Sequence, residues 1–325
     1  MFEDPLINIL ILIVSLVVLD RASDLTITNA VKISNATGYG KTKIGFVLVA
    51  FCSSLPALSV SIIASLTGRL DVAVGNAVGS NLANISLILG FCLILTAFRK
   101  LEKTRPLSFM AREELLNLYF GLFVASVVPL ILFYMGFANG LVGIFLLAVF
   151  LVYTYQLLAR KDVRERQLSK TEPKSDTRKS TFLAILSGIV IVVAAYFMVD
   201  SASAIAEYVH INRVIIGGTI VAFGTSVSVL LASVRAILRG HPDVSLGNIV
   251  GTLFMNTALI LGVSFAVWES NADMTAYSNL FIFSVIANLF VWFFLSREKL
   301  GWKEGVVLVL MYAVFLVMSF GGYRP

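Results

Sequence analysis

Residues 48–90 and 220–262 align without a gap at an offset of 172, and nothing else in the chain constrains its fold so strongly. The first segment reads LVAFCSSLPALSVSIIASLTGRLDVAVGNAVGSNLANISLILG, the second IVAFGTSVSVLLASVRAILRGHPDVSLGNIVGTLFMNTALILG. Twenty of the 43 positions are identical. Any two apolar segments share Leu, Val and Ile by composition. Composition does not put Gly68, Asp71, Gly75, Asn76, Gly79 and Asn84 in register with Gly240, Asp243, Gly247, Asn248, Gly251 and Asn256. One structural unit is therefore present twice.

The unit belongs in a bilayer. A soluble domain carries roughly a quarter charged residues, whereas this chain has 14% charged and 58% hydrophobic residues. Apolar runs long enough to span recur at 6–30, 43–67, 72–98, 112–134, 138–159, 181–206, 213–238, 243–267, 275–296 and 303–322. The expected fold is an all-α polytopic membrane protein of ten transmembrane helices. Residues 1–159 form the first five-helix repeat, 160–180 a basic cytoplasmic linker interrupted by Pro173, and 181–325 the second repeat. Five is odd, so the second unit enters the membrane inverted, an arrangement common among secondary transporters.

The basic residues test these spans. The loops after the odd-numbered spans, with their helix ends, hold 21 of the 25 Lys and Arg residues. The positive-inside rule then puts those loops in the cytoplasm and both termini outside a plasma membrane. Scattered over short loops, this charge offers no patch for nucleic acid, and the expected partners are the lipid bilayer and a small ion or solute. The first apolar run starts near Leu6 without a basic leader, and reads as the first span rather than a signal peptide. Oligomeric state is not encoded legibly.

Polar residues within each repeat fall into two clusters. Ser53 and Ser54 with Pro56 match Thr225 and Ser226 with Ser228; Gly75, Asn76, Ser80 and Asn84 match Gly247, Asn248, Thr252 and Asn256. Hydroxyls and amides are costly in lipid unless bonded, and Gly and Pro free backbone carbonyls where a cavity uses them. Such oxygens are ligands for a hard cation. For Ser59, Ser61, Ser65 and Ser233 close helix packing is the better explanation. Asn76, Asn84, Asn248 and Asn256 point instead to a site or its immediate support, because they recur symmetrically beside glycine.

These clusters resemble the two signature segments of the sodium/calcium exchanger superfamily, prokaryotic ten-helix type. The resemblance implies cation ligands at Ser53, Ser54, Ser80 and Asn84, and at Thr225, Ser226, Thr252 and Asn256. Asn76, Asn248, Gly75 and Gly247 support them. The resemblance also breaks at one point. The glutamate that follows the family's proline is Ala57 in one repeat and Val229 in the other, so the candidate centre carries no carboxylate. Calcium takes roughly six to eight oxygens, and ligand charge sets its affinity. A centre of neutral dipoles favours a monovalent cation or another non-calcium substrate.

Other acids do not restore the charge. Asp20 and Asp24 lie toward the cytoplasmic end of the first span, Asp71 and Asp243 read as symmetric helix N-caps, and Glu113 and Glu114 sit at a helix start. His210 and His241 lie at span boundaries and no catalytic pairing stands out, so no enzyme activity is expected. Cys52 and Cys92 lie in apolar runs as small packed residues. The expectation is an alternating-access secondary transporter with a midplane site, needing no cofactor beyond a bound monovalent cation. The alternatives are a sodium- or proton-coupled calcium antiporter with atypical ligands, and a transport-inactive scaffold.

Overall fold

The computed structural model describes residues 5–37, 43–98, 140–159, 177–239, 242–267, 274–296 and 301–321. Every regular element among them is a helix: α1 (Pro5–Thr37), α2 (Lys43–Leu66), α3 (Leu70–Phe98), α4 (Gly140–Ala159), α5 (Thr177–Tyr208), α6 (Arg213–Leu238), α7 (242–266), α8 (Met274–Ser296) and α9 (Trp302–Gly321). Each falls on an expected span. The span 112–134, with Glu113 and Glu114, lies outside the described residues, as do Gly240, His241, most of the linker and the side chains of Cys52 and Asp243. The linker expectation ran to residue 180, but α5 already begins at Thr177. Seven helical segments among the described residues are long and apolar enough to cross a bilayer. Large aliphatic side chains such as Leu10, Ile185 and Val317 stand on the outer surface, which lipid tolerates and water does not. The chain is a multi-pass membrane protein.

α1 and α5, of 33 and 32 residues, are the longest helices among the described residues. At about 1.5 Å per residue each overruns the roughly 30 Å hydrocarbon core. They pack on each other, and the small residues Ala22, Ala194, Ala195 and Ala202 are buried in the apolar cluster that both helices enter. Within that contact the hydroxyls of Thr26 and Ser187 lie 2.7 Å apart. Leu12, Leu19, Ile191 and Met198 join Val60 and Val72 in one apolar cluster. A second cluster binds α3, α6, α7, α8 and α9.

α2 ends at Leu66, and Gly68 in the turn beyond it takes a φ of +71°, open to glycine at little cost. The amide of Arg69 then reaches back to the carbonyl of Ala64 at 2.7 Å. The next helix is not capped as the sequence suggested. Arg69 holds the N-cap position of α3 with no side-chain cap bond, and Asp71 lies in the first turn. Its charge there complements the helix dipole without a cap.

Glycine contacts knit the repeats reciprocally. A Cβ on Gly90 of α3 would lie 2.7 Å from the carbonyl oxygen of Gly305 in α9, and one on Gly305 would lie 2.6 Å from that of Gly90. At the position 172 residues after Gly90, Gly262 of α7 makes the matching contact with α4. A Cβ on Gly143 would lie 2.7 Å from the carbonyl oxygen of Gly262, and one on Gly262 would lie 3.3 Å from that of Gly143. Reciprocal contacts of this kind are the mark of a twofold relation between segments.

Candidate functional site

The candidate residues come from four helices, paired across the repeats. α2 carries Ser53 and Ser54, α6 carries Thr225 and Ser226, α3 carries Asn76, Ser80 and Asn84, and α7 carries Asn248, Thr252 and Asn256. All ten side chains are buried. Pro56 inside α2 withholds one backbone donor and leaves the carbonyl four residues earlier without its helix partner. α3 and α7 each open into a π-helical turn, at Ala83–Leu89 and Met255–Ile260. Asn84 and Asn256 sit second in these turns, and π-turns within α-helices collect at functional sites.

Asn76 and Asn248 are clamps. Asn76 Nδ2 donates to the carbonyl of Ala57 at 3.0 Å and to Ser61 Oγ at 2.9 Å. Asn248 Nδ2 donates to the carbonyl of Val229 at 3.5 Å and to Ser233 Oγ at 3.1 Å. Each partner in one set is 172 residues from its counterpart in the other. Their oxygens face the opposite repeat. Asn76 Oδ1 accepts from Thr225 at 2.9 Å, and Asn248 Oδ1 accepts from Ser53 at 3.2 Å. Ser80 joins this junction, 3.3 Å from the Thr225 hydroxyl. Thr252, its counterpart, turns instead to the carbonyl of Asn248 in its own helix at 2.8 Å. Ser61 and Ser233, read from sequence as packing residues, are the anchors of the two clamps.

Gly75 supports the site by packing. A Cβ there would lie 2.7 Å from the carbonyl oxygen of Val214 at the start of α6. Gly79 is tighter still, 2.2 Å by the same measure from the carbonyl oxygen of Gly218. These contacts press α3 onto α6 beside a further π-turn, Gly217–Val221. Gly247 is half-buried on α7.

Asn84 and Asn256 differ from the clamps. Both are 0% exposed, and neither the oxygen nor the nitrogen of either amide has a hydrogen-bond partner. An unmatched buried polar group costs about 1–3 kcal/mol. Two such side chains at equivalent positions mark a place where the fold holds polar groups ready for something other than its own atoms. The π-turn of α3 packs on α6, and that of α7 packs on α2. Each free amide therefore lies in a segment that faces the hydroxyl-bearing helix of the other repeat. Ala57 and Val229, 4% and 1% exposed, are part of the apolar core. Among the described residues no group of three or more His, Cys, Asp or Glu side chains is placed to hold a metal.

Asn81, Thr257 and Ser228, where the two repeats differ, take part although the sequence assigns them no site role. Asn81 Nδ2 donates to Thr257 Oγ1 at 2.7 Å while its oxygen has no partner. Its counterpart is Leu253, and that of Thr257 is Ile85. Ser228 stands where the first repeat has Pro56, and its hydroxyl donates to the carbonyl of Ser53 at 3.0 Å. Asp24 makes an exposed pair with Arg235 at 2.8 Å, joining α1 to α6. Arg69 pairs with Asp200 of α5 at the same distance, largely buried. His210 is exposed, in the turn after α5.

Comparison with known proteins agrees with this architecture. The family model for sodium/calcium exchanger protein matches residues 7–159 and 179–321. Inner membrane protein YrbG of Escherichia coli is 30% identical over 323 residues, covering 95% of this chain and 96% of that protein. The sodium/calcium exchanger MaX1 of Methanosarcina acetivorans is 29% identical, covering 97% and 99% of the two chains. The H+/Ca2+ exchanger CAX shares the fold, with a TM-score of 0.74 at 15% identity over 97% of this chain and 87% of that one. Helical architecture and family match agree, and the chain belongs to the sodium/calcium exchanger family of membrane ion transporters.

Proposed function

We propose that this protein is a secondary active transporter that alternates access to a midplane site between two inverted repeats. Its substrate is a monovalent cation. One observation carries this reading: Asn84 and Asn256 are buried, unpartnered and related by the repeat, in a centre whose candidate ligands are all neutral. Oxygens from Ser54, Asn84, Ser226 and Asn256 supply dipoles that offset the desolvation of a single charge. A divalent ion loses far more hydration energy and finds no carboxylate to replace it. Both termini lie outside and the linker inside, by the distribution of Lys and Arg.

The relative named as a sodium/calcium exchanger motivates the competing reading, calcium antiport through atypical ligands. Flux into proteoliposomes separates the two. The protein is reconstituted and challenged in turn with sodium, potassium, lithium, a proton gradient and calcium. Protein-dependent flux of at least one monovalent cation is expected, and none of calcium at millimolar concentration. Gradient-driven calcium uptake overturns the substrate assignment. Silence for every ion supports a transport-inactive scaffold.

A further inference from the structure

Exchange is obligatory only if a carrier cannot reorient empty. In a centre built on carboxylates, reorientation without an ion drags uncompensated charge through a closed, low-dielectric interior. A desolvation penalty of several kcal/mol per ion slows that step on the order of a thousandfold or more. The two positions where the family resemblance calls for glutamate are here Ala57 and Val229, packed in the apolar core. All eight candidate ligands are neutral.

The centre also has the means to hold itself shut. Ser53 donates to Asn248 at 3.2 Å and Thr225 to Asn76 at 2.9 Å, one bond in each direction across the repeats. Ser228 adds a third cross-repeat bond, to the carbonyl of Ser53 at 3.0 Å. Hydroxyls and amides thus satisfy one another across the junction without a cation between them. The unmet cost is that of the Asn84 and Asn256 dipoles, which carry no net charge. The electrostatic balance is inverted relative to a carboxylate centre, because here the loaded form alone bears net charge.

We infer that this carrier crosses the membrane empty, and so performs net, electrogenic cation flux in addition to exchange. The inference rests on the transporter reading above and adds an activity to it. The absence of carboxylate at Ala57 and Val229 is its cause, and the cross-repeat hydroxyl–amide bonds are its means.

Proteoliposomes loaded with radioactive sodium test it, with thiocyanate as permeant counter-ion so that charge build-up does not limit flux. Efflux is followed into sodium medium, which permits exchange, and into N-methylglucamine medium, which requires empty return. Net efflux within roughly tenfold of exchange is expected, since neutral groups carry no Born penalty. Exchange with net efflux at the rate of protein-free vesicles overturns the inference and leaves the transporter reading standing. If radioactive rubidium efflux and lithium efflux followed by atomic absorption are also silent in both media, both fail together. Ala57→Glu supplies the missing charge and is expected to suppress net efflux relative to exchange by at least tenfold. An unchanged ratio in the folded variant overturns the electrostatic cause. The wild-type comparison stands without the variant if it does not fold.

Discussion

Asn76 and Asn84 are the same residue type, eight positions apart in one helix and equally buried, yet their amides do opposite things. Replacing each by alanine removes the same atoms and opens a similar void, so the difference between the variants isolates the hydrogen bonding. Asn76→Ala forfeits three bonds of 2.9–3.0 Å to Ala57, Ser61 and Thr225. At roughly 0.6 kcal/mol for a polar contact between membrane helices, these amount to about 2 kcal/mol. Asn84→Ala removes two unmatched polar atoms and relieves at least about 1 kcal/mol of burial penalty. The two variants should then differ by about 3 kcal/mol. A difference of that size corresponds to roughly 6–12 °C in midpoint, taking the range for domains of 150–250 residues. Tryptophan fluorescence during thermal unfolding in detergent reads this out, in N-methylglucamine buffer without alkali cations. Adding sodium should raise the midpoint of wild type and Asn76→Ala but not of Asn84→Ala. Equal destabilisation by both substitutions would mean that Asn84 is bonded as firmly as Asn76 and is not held free for an ion.

The second repeat offers a replicate: Asn248→Ala should fall below Asn256→Ala by a smaller margin, since the Asn248 bonds of 3.1–3.5 Å are longer. Gly79→Ala forces a Cβ to within 2.2 Å of the Gly218 carbonyl oxygen and should abolish recovery of folded protein by size-exclusion chromatography. Gly188→Ala meets nothing within 4 Å and should be neutral, or stabilising by up to about 1 kcal/mol through helix propensity, in the same assay. The Asp24–Arg235 pair is about half exposed, so Asp24→Asn should cost only about 0–1 kcal/mol in thermal unfolding. Asp200→Asn strands the more buried Arg69 and should cost more in that measurement.

Much of this architecture is written in the sequence because lipid enforces a simple rule. A span must be apolar and long, so the helices that hold Leu10, Val72 or Val317 announce themselves by hydropathy. The repeat is legible for a stricter reason. Gly90 and Gly262 sit against backbone in matching contacts, and Asn76 and Asn248 tie repeat-equivalent helices together, so neither set tolerates drift. Such symmetry also hides what departs from it. Asn81 bonds Thr257 although their counterparts are Leu253 and Ile85, and a search for matched positions passes over both. The division of labour among asparagines is equally silent in one dimension. Asn76 and Asn84 look alike in the motif, and only the placement of Ala57, Ser61 and Thr225 around the first makes it a clamp. Asp71 reads as a cap because it directly precedes the third apolar span. The helix begins two residues earlier than that position implies, so Arg69 takes the cap position and Asp71 falls in the first turn.

Anomalous scattering from crystals soaked in thallium(I), a monovalent stand-in for potassium, addresses the neutral centre most directly. The expected result is a peak bounded by Ser54, Asn84, Ser226 and Asn256, lost in Asn84→Ala and not displaced by calcium. A strontium peak at that position, or thallium bound only at Asp20 and Asp24, would contradict it.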